Sequence, residues 1–116
     1  VMTMGALWPT VWQDLVLALA SDYRVSAKVF VLVWPIPDFS SEHTPTHVVV
    51  IEEHFQTGGF GEAFSARMHD SGDPRPLLRC AIPDQYEWEN GGRAHLWKRA
   101  GLDVPTLTEK IRKWMA

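Results

Sequence analysis

Cysteine is almost missing from this chain. Among 116 residues only Cys80 is a cysteine, so no disulfide can close within it and nothing points to an oxidising compartment. Basic clusters are missing as well. The chain carries 11 Lys and Arg against 14 Asp and Glu, for a formal net charge of -3. No block of them offers the clustered cations that phosphate backbones require, which sets nucleic acid aside as a partner. No apolar run approaches the ~18 residues of a membrane span, and the opening Val1-Met2-Thr3-Met4-Gly5 lacks the basic region of a signal peptide. No membrane is expected, and a cytoplasmic location is the default. Repeats, low-complexity tracts and an internal boundary are also absent, so residues 1–116 are expected to form one domain.

What is present is an ordinary globular composition, 46% hydrophobic and 22% charged. That is enough to bury a core without metals or disulfides. Six tryptophans are many for this length. Because surface Trp is enriched at interfaces, some of them are expected to cover a partner. The chain opens directly on a predicted strand, which fits a domain cut from a longer polypeptide.

The stretch His47 to Gly61 organises the rest. Val48, Val49, Val50 and Ile51 are β-branched and apolar in unbroken sequence, the pattern of a strand buried on both faces of a parallel sheet. A short acidic turn, the glycines Gly58, Gly59 and Gly61 and an amphipathic run follow. Strand, turn, glycine cluster and helix together make the β-to-α junction of a doubly wound domain.

The other elements fall around this junction. Val1 to Met4 reads as a short strand. Thr10 with Gln13 forms a capping-box pattern opening a helix to about Ala20, striped by Val11, Leu15, Val16 and Leu19. Lys28 to Val33 is a second strand closed by Pro35 and Pro37, and Pro35 to His47 is a crossover loop without periodicity. Val48 to Glu52 is the third strand. Phe60, Ala63, Phe64, Arg67 and Met68 stripe a helix of about three turns, with Glu62 near its positive N-terminus. Leu77 to Ile82 is the fourth strand, Gln85 to Gly92 a polar loop, and Ala94 to Ala100 a helix stopped by Gly101. Thr106 with Glu109 repeats the capping box before a last helix striped by Leu107, Ile111 and Trp114.

Three strings in this order resemble a known family. Val49 to Ala63, Val-Val-Ile-Glu-Glu-His leading to Gly-Gly-Phe-Gly-Glu-Ala, resembles the C-terminal domain of the transketolase family of thiamine-diphosphate enzymes. Arg79 with Ile82-Pro83-Asp84 looks like that family's Arg-x-Gly-Ile/Leu-Pro-Asp segment, with Ala81 standing where Gly is usual. Gly101-Leu102-Asp103 is similar to the family's ending before its final helix. The resemblance covers nearly the whole chain and departs at the Pro35 to His47 crossover, which is about a turn short and leaves one sheet face for a neighbouring domain or subunit to cover. It implies a three-layer α/β/α fold on a mostly parallel sheet of four or five strands with one antiparallel edge.

It also implies that cofactor chemistry lies elsewhere. The family holds thiamine diphosphate and its divalent metal on two other domains, through a Gly-Asp-Gly…Asn motif and a catalytic Glu. No Gly-Asp-Gly triplet occurs here. The chain is therefore expected to bind no cofactor alone, to carry no catalytic residue, and to form dimers beside the thiamine-diphosphate-binding domains or subunit.

Several residues invite a sharper function. Gly58, Gly59 and Gly61 at a helix N-terminus are an anion site or, alternatively, a place of tight strand–helix packing; their spacing is neither the dinucleotide fingerprint nor a P-loop. Glu52, Glu53 and His54 end a central strand, where a carboxylate beside a histidine does acid–base work if burial shifts the pair. With no nucleophile or second acid in reach they read instead as a hydrogen-bonded structural cluster or an interdomain contact, and the resemblance favours the contact. His43, His47 and His54 raise zinc, against which stands the placement of the first two on a Pro/Thr loop, where i, i+4 spacing does not put them on one face. Cys80 reads as a small buried hydrophobe. Trp97 and Trp114 sit at helical spacing for core packing, whereas Trp88, in a polar loop with Tyr86, is a surface anchor or a core residue. The leading expectation is an assembly domain or small subunit of a transketolase-like enzyme. Behind it stand a free module docking a carrier or regulatory partner, and a small enzyme using Glu53 and His54.

Overall fold

In a computed structural model of the protein, residues 2–3, 11–21, 30–31, 35–36, 45–88 and 90–116 are described. The elements are β1 (Met2–Thr3), a π-helical turn (Val11–Leu15) continued by α1 (Val16–Ala20), β2 (Phe30–Val31), β3 (Val48–Phe55), α2 (Phe60–Asp70), β4 (Leu77–Ile82), α3 (Arg93–Ala100) and α4 (Val104–Met115). The strands lie in the order β2-β1-β3-β4, and every pairing among the described residues is parallel. The antiparallel edge that the resemblance implied is not among them. Most of the sheet is carried by β3 and β4, since β1 and β2 contribute two residues each.

The α/β class follows from the alternation in β3. Val49 and Ile51 face one way, with Cys80 of β4, into a cluster with Leu15, Leu19, Leu102, Leu107 and Ile111. Val48 and Val50 face the other way onto Phe60, Phe64 and Met68 of α2. Helices thus cover both faces, and a strand buried on both sides has to be apolar at consecutive positions. Removing each such side chain from water contributes about 1.5–3 kcal/mol. Phe60 and Phe64 also stack, ring centroids 5.8 Å apart.

Two boundaries differ from the sequence reading. β3 runs on through the expected acidic turn to Phe55, because Phe55 pairs with Ile82 after a bulge in which β3 advances four residues while β4 advances two. The last helix begins before the expected capping box. Asp103 is its N-cap and accepts the Thr106 N–H at 3.3 Å, with Pro105 in the first turn. Proline has no N–H to satisfy there, so Asp103 rather than Thr106 is the residue placed to cap. Gly101 stops α3 as expected, in the left-handed region at φ 73°, while Leu102 N–H reaches back to the Trp97 carbonyl at 2.8 Å. Thr10 and most of the Pro35 to His47 crossover lie outside the described residues.

Candidate functional site

The glycine cluster is built around a carboxylate. Alternation along β3 turns Glu52 to the same side as Val48 and Val50, toward the start of α2, and there it is 2% exposed. Its two oxygens accept the N–H groups of Phe60, at 2.6 Å, and Gly61, at 2.8 Å. Glu62 accepts the Gly58 N–H at 2.6 Å. The first turn of a helix leaves N–H groups unpaired and carries positive partial charge, so these carboxylates satisfy what an external anion would otherwise satisfy.

The glycines are explained by the same carboxylate. A Cβ on Gly59 would stand 2.6 Å from the Phe55 carbonyl and 2.7 Å from a Glu52 oxygen. One on Gly61 would stand 2.8 Å from Glu52 and 3.0 Å from Arg79 Nε. Gly58 has open space around it and needs glycine instead for its φ of 76°.

Arg79 and Asp84, from the second family-like string, close on the same turn. Arg79 Nη2 donates to the Gln56 carbonyl, and the Thr57 hydroxyl donates to Asp84. The β3–α2 turn is thereby tied to the middle of β4 and to the turn that follows it. Sequence spacing gave no sign of these links, since the partners are more than twenty residues apart.

Glu53 points to the opposite side of β3. It accepts from Arg93 Nε at 2.9 Å and from the Trp97 indole N–H at 2.7 Å, and Arg93 Nη2 completes a two-pronged pair. Those Arg93 hydrogen bonds hold the Glu53 carboxyl below its usual value; partial burial opposes them, and the Trp97 bond and the Arg93 charge assist. Arg93 in turn lies over the Trp97 ring, 4.8 Å from its centroid. The i, i+4 placement of Arg93 and Trp97 on one helical face was the available signal for this cluster.

His54 is not part of it. Its Nδ1 meets the Phe55 carbonyl at 3.2 Å and its ring is exposed. His47 sits at the other end of β3, bonded to the Thr46 hydroxyl and edge-on to Trp114 at 5.2 Å. Seven residues of strand separate it from His54 by roughly 20 Å, too far to share a metal ion. His43 lies outside the described residues. Among the described residues no group of three metal-ligating side chains gathers.

Trp88 is 89% exposed, and Tyr86 stands beside it with ring centroids 5.9 Å apart. Trp97 and Trp114 pack against the core as their spacing predicted. Cys80 is buried, and burial pushes its thiol pKa up against the opposing charge of Lys110. No helix among the described residues is long and apolar enough to cross a membrane.

No family model matches the chain. Individual proteins do. It is similar to the 1-deoxy-D-xylulose-5-phosphate synthase of Chlorobium phaeovibrioides, 37% identical over 67 residues, covering 58% of this chain and 10% of that protein. With the enzyme of the same name from Chlorobium luteolum the identity is 33% over 69 residues, 60% of this chain and 11% of the relative. With the 1-deoxy-D-xylulose-5-phosphate synthase 1 of Geobacter metallireducens it is 32% over 77 residues, 66% and 12%. The chain thus spans about a tenth of the length of the curated relatives it matches. The resemblance to the transketolase family read from the three strings is borne out by these relatives, which share one enzyme name at 30–37% identity over about 60% of the chain.

Proposed function

We propose that this chain is the C-terminal domain, or a separately encoded small subunit, of a transketolase-like thiamine-diphosphate enzyme that transfers two-carbon ketol units in the cytoplasm. Its own role is assembly and support. The observation that carries this reading is the use to which the family-like strings are put. Glu52, Arg79 and Asp84 spend hydrogen bonds on the β3–α2 turn and the start of α2, Gly59 and Gly61 make room for the Glu52 carboxylate, and Gly101 and Asp103 end one helix and start the next. Residues so engaged build a rigid edge.

The cofactor does not fit this chain's own residues. The N–H groups of Phe60 and Gly61, where a diphosphate would bind, are already taken by Glu52. Thiamine diphosphate and its divalent metal belong, in this reading, to the companion domains. The edge carrying Glu53, His54, the Gly58 to Gly61 turn and Trp88 meets them, and the complete enzyme is a dimer.

A second reading, a free module docking a carrier or regulatory partner, is favoured by the exposed Tyr86 and Trp88 pair. One experiment separates the two. The chain is used as bait in lysate of its source, co-purifying proteins are identified, and the eluate is assayed for thiamine diphosphate. Recovery of cofactor with a chain carrying the binding domains is expected. A monomeric bait that brings down a carrier protein without cofactor would overturn the assembly role in favour of the module.

A further inference from the structure

At the carboxyl ends of β3 and β4, the edge where open α/β sheets take their ligands, the described residues border an open groove of about 580 Å3. Small-molecule sites typically measure about 300–1,000 Å3 and are lined mainly by apolar and aromatic side chains. This one fits that pattern. Phe55 and Ile82 line it from the strand ends, Leu96 and Trp97 from α3, and Tyr86 from the intervening loop.

Two ion pairs line the same groove, Arg93 with Glu53 and Arg99 with Glu87. They are asymmetric in the same sense. The Arg93 side chain is 50% exposed against 29% for Glu53, and Arg99 is 45% exposed against 30% for Glu87. Each carboxylate is the sheltered member. Glu53 is sheltered because Trp97 and Arg93 both donate to it. Although the pairs cancel in net charge, what they offer an incoming molecule is mainly guanidinium, and Arg93 is held in place by the face of Trp97.

We propose that this groove binds a small aromatic anion, a planar apolar ring system bearing one carboxylate, sulfonate or phosphate group. The rings lie against Ile82, Leu96 and Trp97, and the charged group meets Arg93 and Arg99. Guanidinium suits such groups because its five N–H donors lie in one plane, so it can hold a glutamate along one edge and turn another edge to a second anion. An uncharged ring would gain only the apolar part of the contact. A cation would meet the exposed guanidinium groups with like charge. This inference stands on the groove itself and is independent of the enzyme to which the chain belongs.

The test titrates the isotopically labelled chain with anilinonaphthalene sulfonate and, separately, with uncharged phenylnaphthylamine, following side-chain N–H signals by NMR. The anionic probe is expected to bind about tenfold or more tightly than the neutral one and to shift the Trp97 indole and Arg93 Nε signals. Arg99→Gln is expected to weaken the anionic probe alone, and Leu96→Glu, which puts a carboxylate into the groove, to weaken it further. Equal affinity for the two probes would overturn the proposal. So would shifts confined to the Trp88 indole, which lies outside the groove lining, or anionic binding unchanged by Arg99→Gln, a variant of a half-exposed residue that leaves the core untouched.

Discussion

Glu52 and Gly61 are matched to each other. The carboxylate accepts the Gly61 N–H at 2.8 Å, and a methyl group on Gly61 would stand at that same 2.8 Å from it. Gly61→Ala and Gly59→Ala should therefore destabilise by about 1–3 kcal/mol each, through overpacking. Gly58→Ala meets no atom and should cost about 1 kcal/mol, through its positive φ alone. Urea unfolding of the three variants checks the order. Equal losses at Gly58 and Gly61 would show that the carboxylate does not constrain the turn.

Replacing Glu52 by Ala leaves the buried N–H groups of Phe60 and Gly61 without their partner. Each unsatisfied group costs about 1–3 kcal/mol. The loss should concentrate at the start of α2, so hydrogen exchange at Phe60 to Ala63 should accelerate more than exchange in α4. Uniform acceleration would mean global unfolding and no special role for Glu52.

Phe60 and Phe64 carry the contact between α2 and the Val48, Val50 face of the sheet. Truncation of either to Ala should cost about 3–5 kcal/mol, read from the midpoint of chemical unfolding. Full stability in both variants would contradict the placement of this helix.

The apolar skeleton was legible because it is periodic. The β-branched run at Val48 to Ile51 and the stripe Phe60, Phe64, Met68 each have one physical explanation, and the structure uses it. The links of the candidate site were not legible in the same way. Nothing local tells Glu52 to turn toward α2 and Glu53 toward α3. That depends on the phase of β3 and on its continuation to Phe55 through a bulge, both set by pairing with β4. The exposed Trp88 is a similar case, since a polar loop permits either fate until the position of the loop is known.

The capping of α4 tests a boundary that sequence pattern misplaced. Asp103→Ala should lose about 0.5–2 kcal/mol, because its carboxylate accepts the Thr106 N–H. Thr106 is exposed and lies inside the helix. Thr106→Ala should change stability by a few tenths of a kcal/mol at most. A larger loss at Thr106 than at Asp103 would restore the capping box.

The attachment of α3 to the sheet should depend on pH through Glu53. Arg93 lowers the folded-state pKa of this carboxyl below its ordinary value of 4.5. A group depressed on folding contributes stability that is complete above its unfolded pKa and is lost as pH falls through the folded one. The contribution should thus be intact at neutral pH and decline from about pH 4.5 downward. Asp73, depressed mainly by its hydrogen bonds to Arg75, declines in the same direction, so total stability alone cannot separate the two. A local readout can. Hydrogen exchange of residues 94–100 should accelerate on acidification relative to α2, and Glu53→Gln, which cannot ionise, should show that acceleration already at neutral pH and little further change on acidification. An α3 whose exchange in Glu53→Gln still tracks pH as in the parent chain would place the acid-sensitive contact elsewhere.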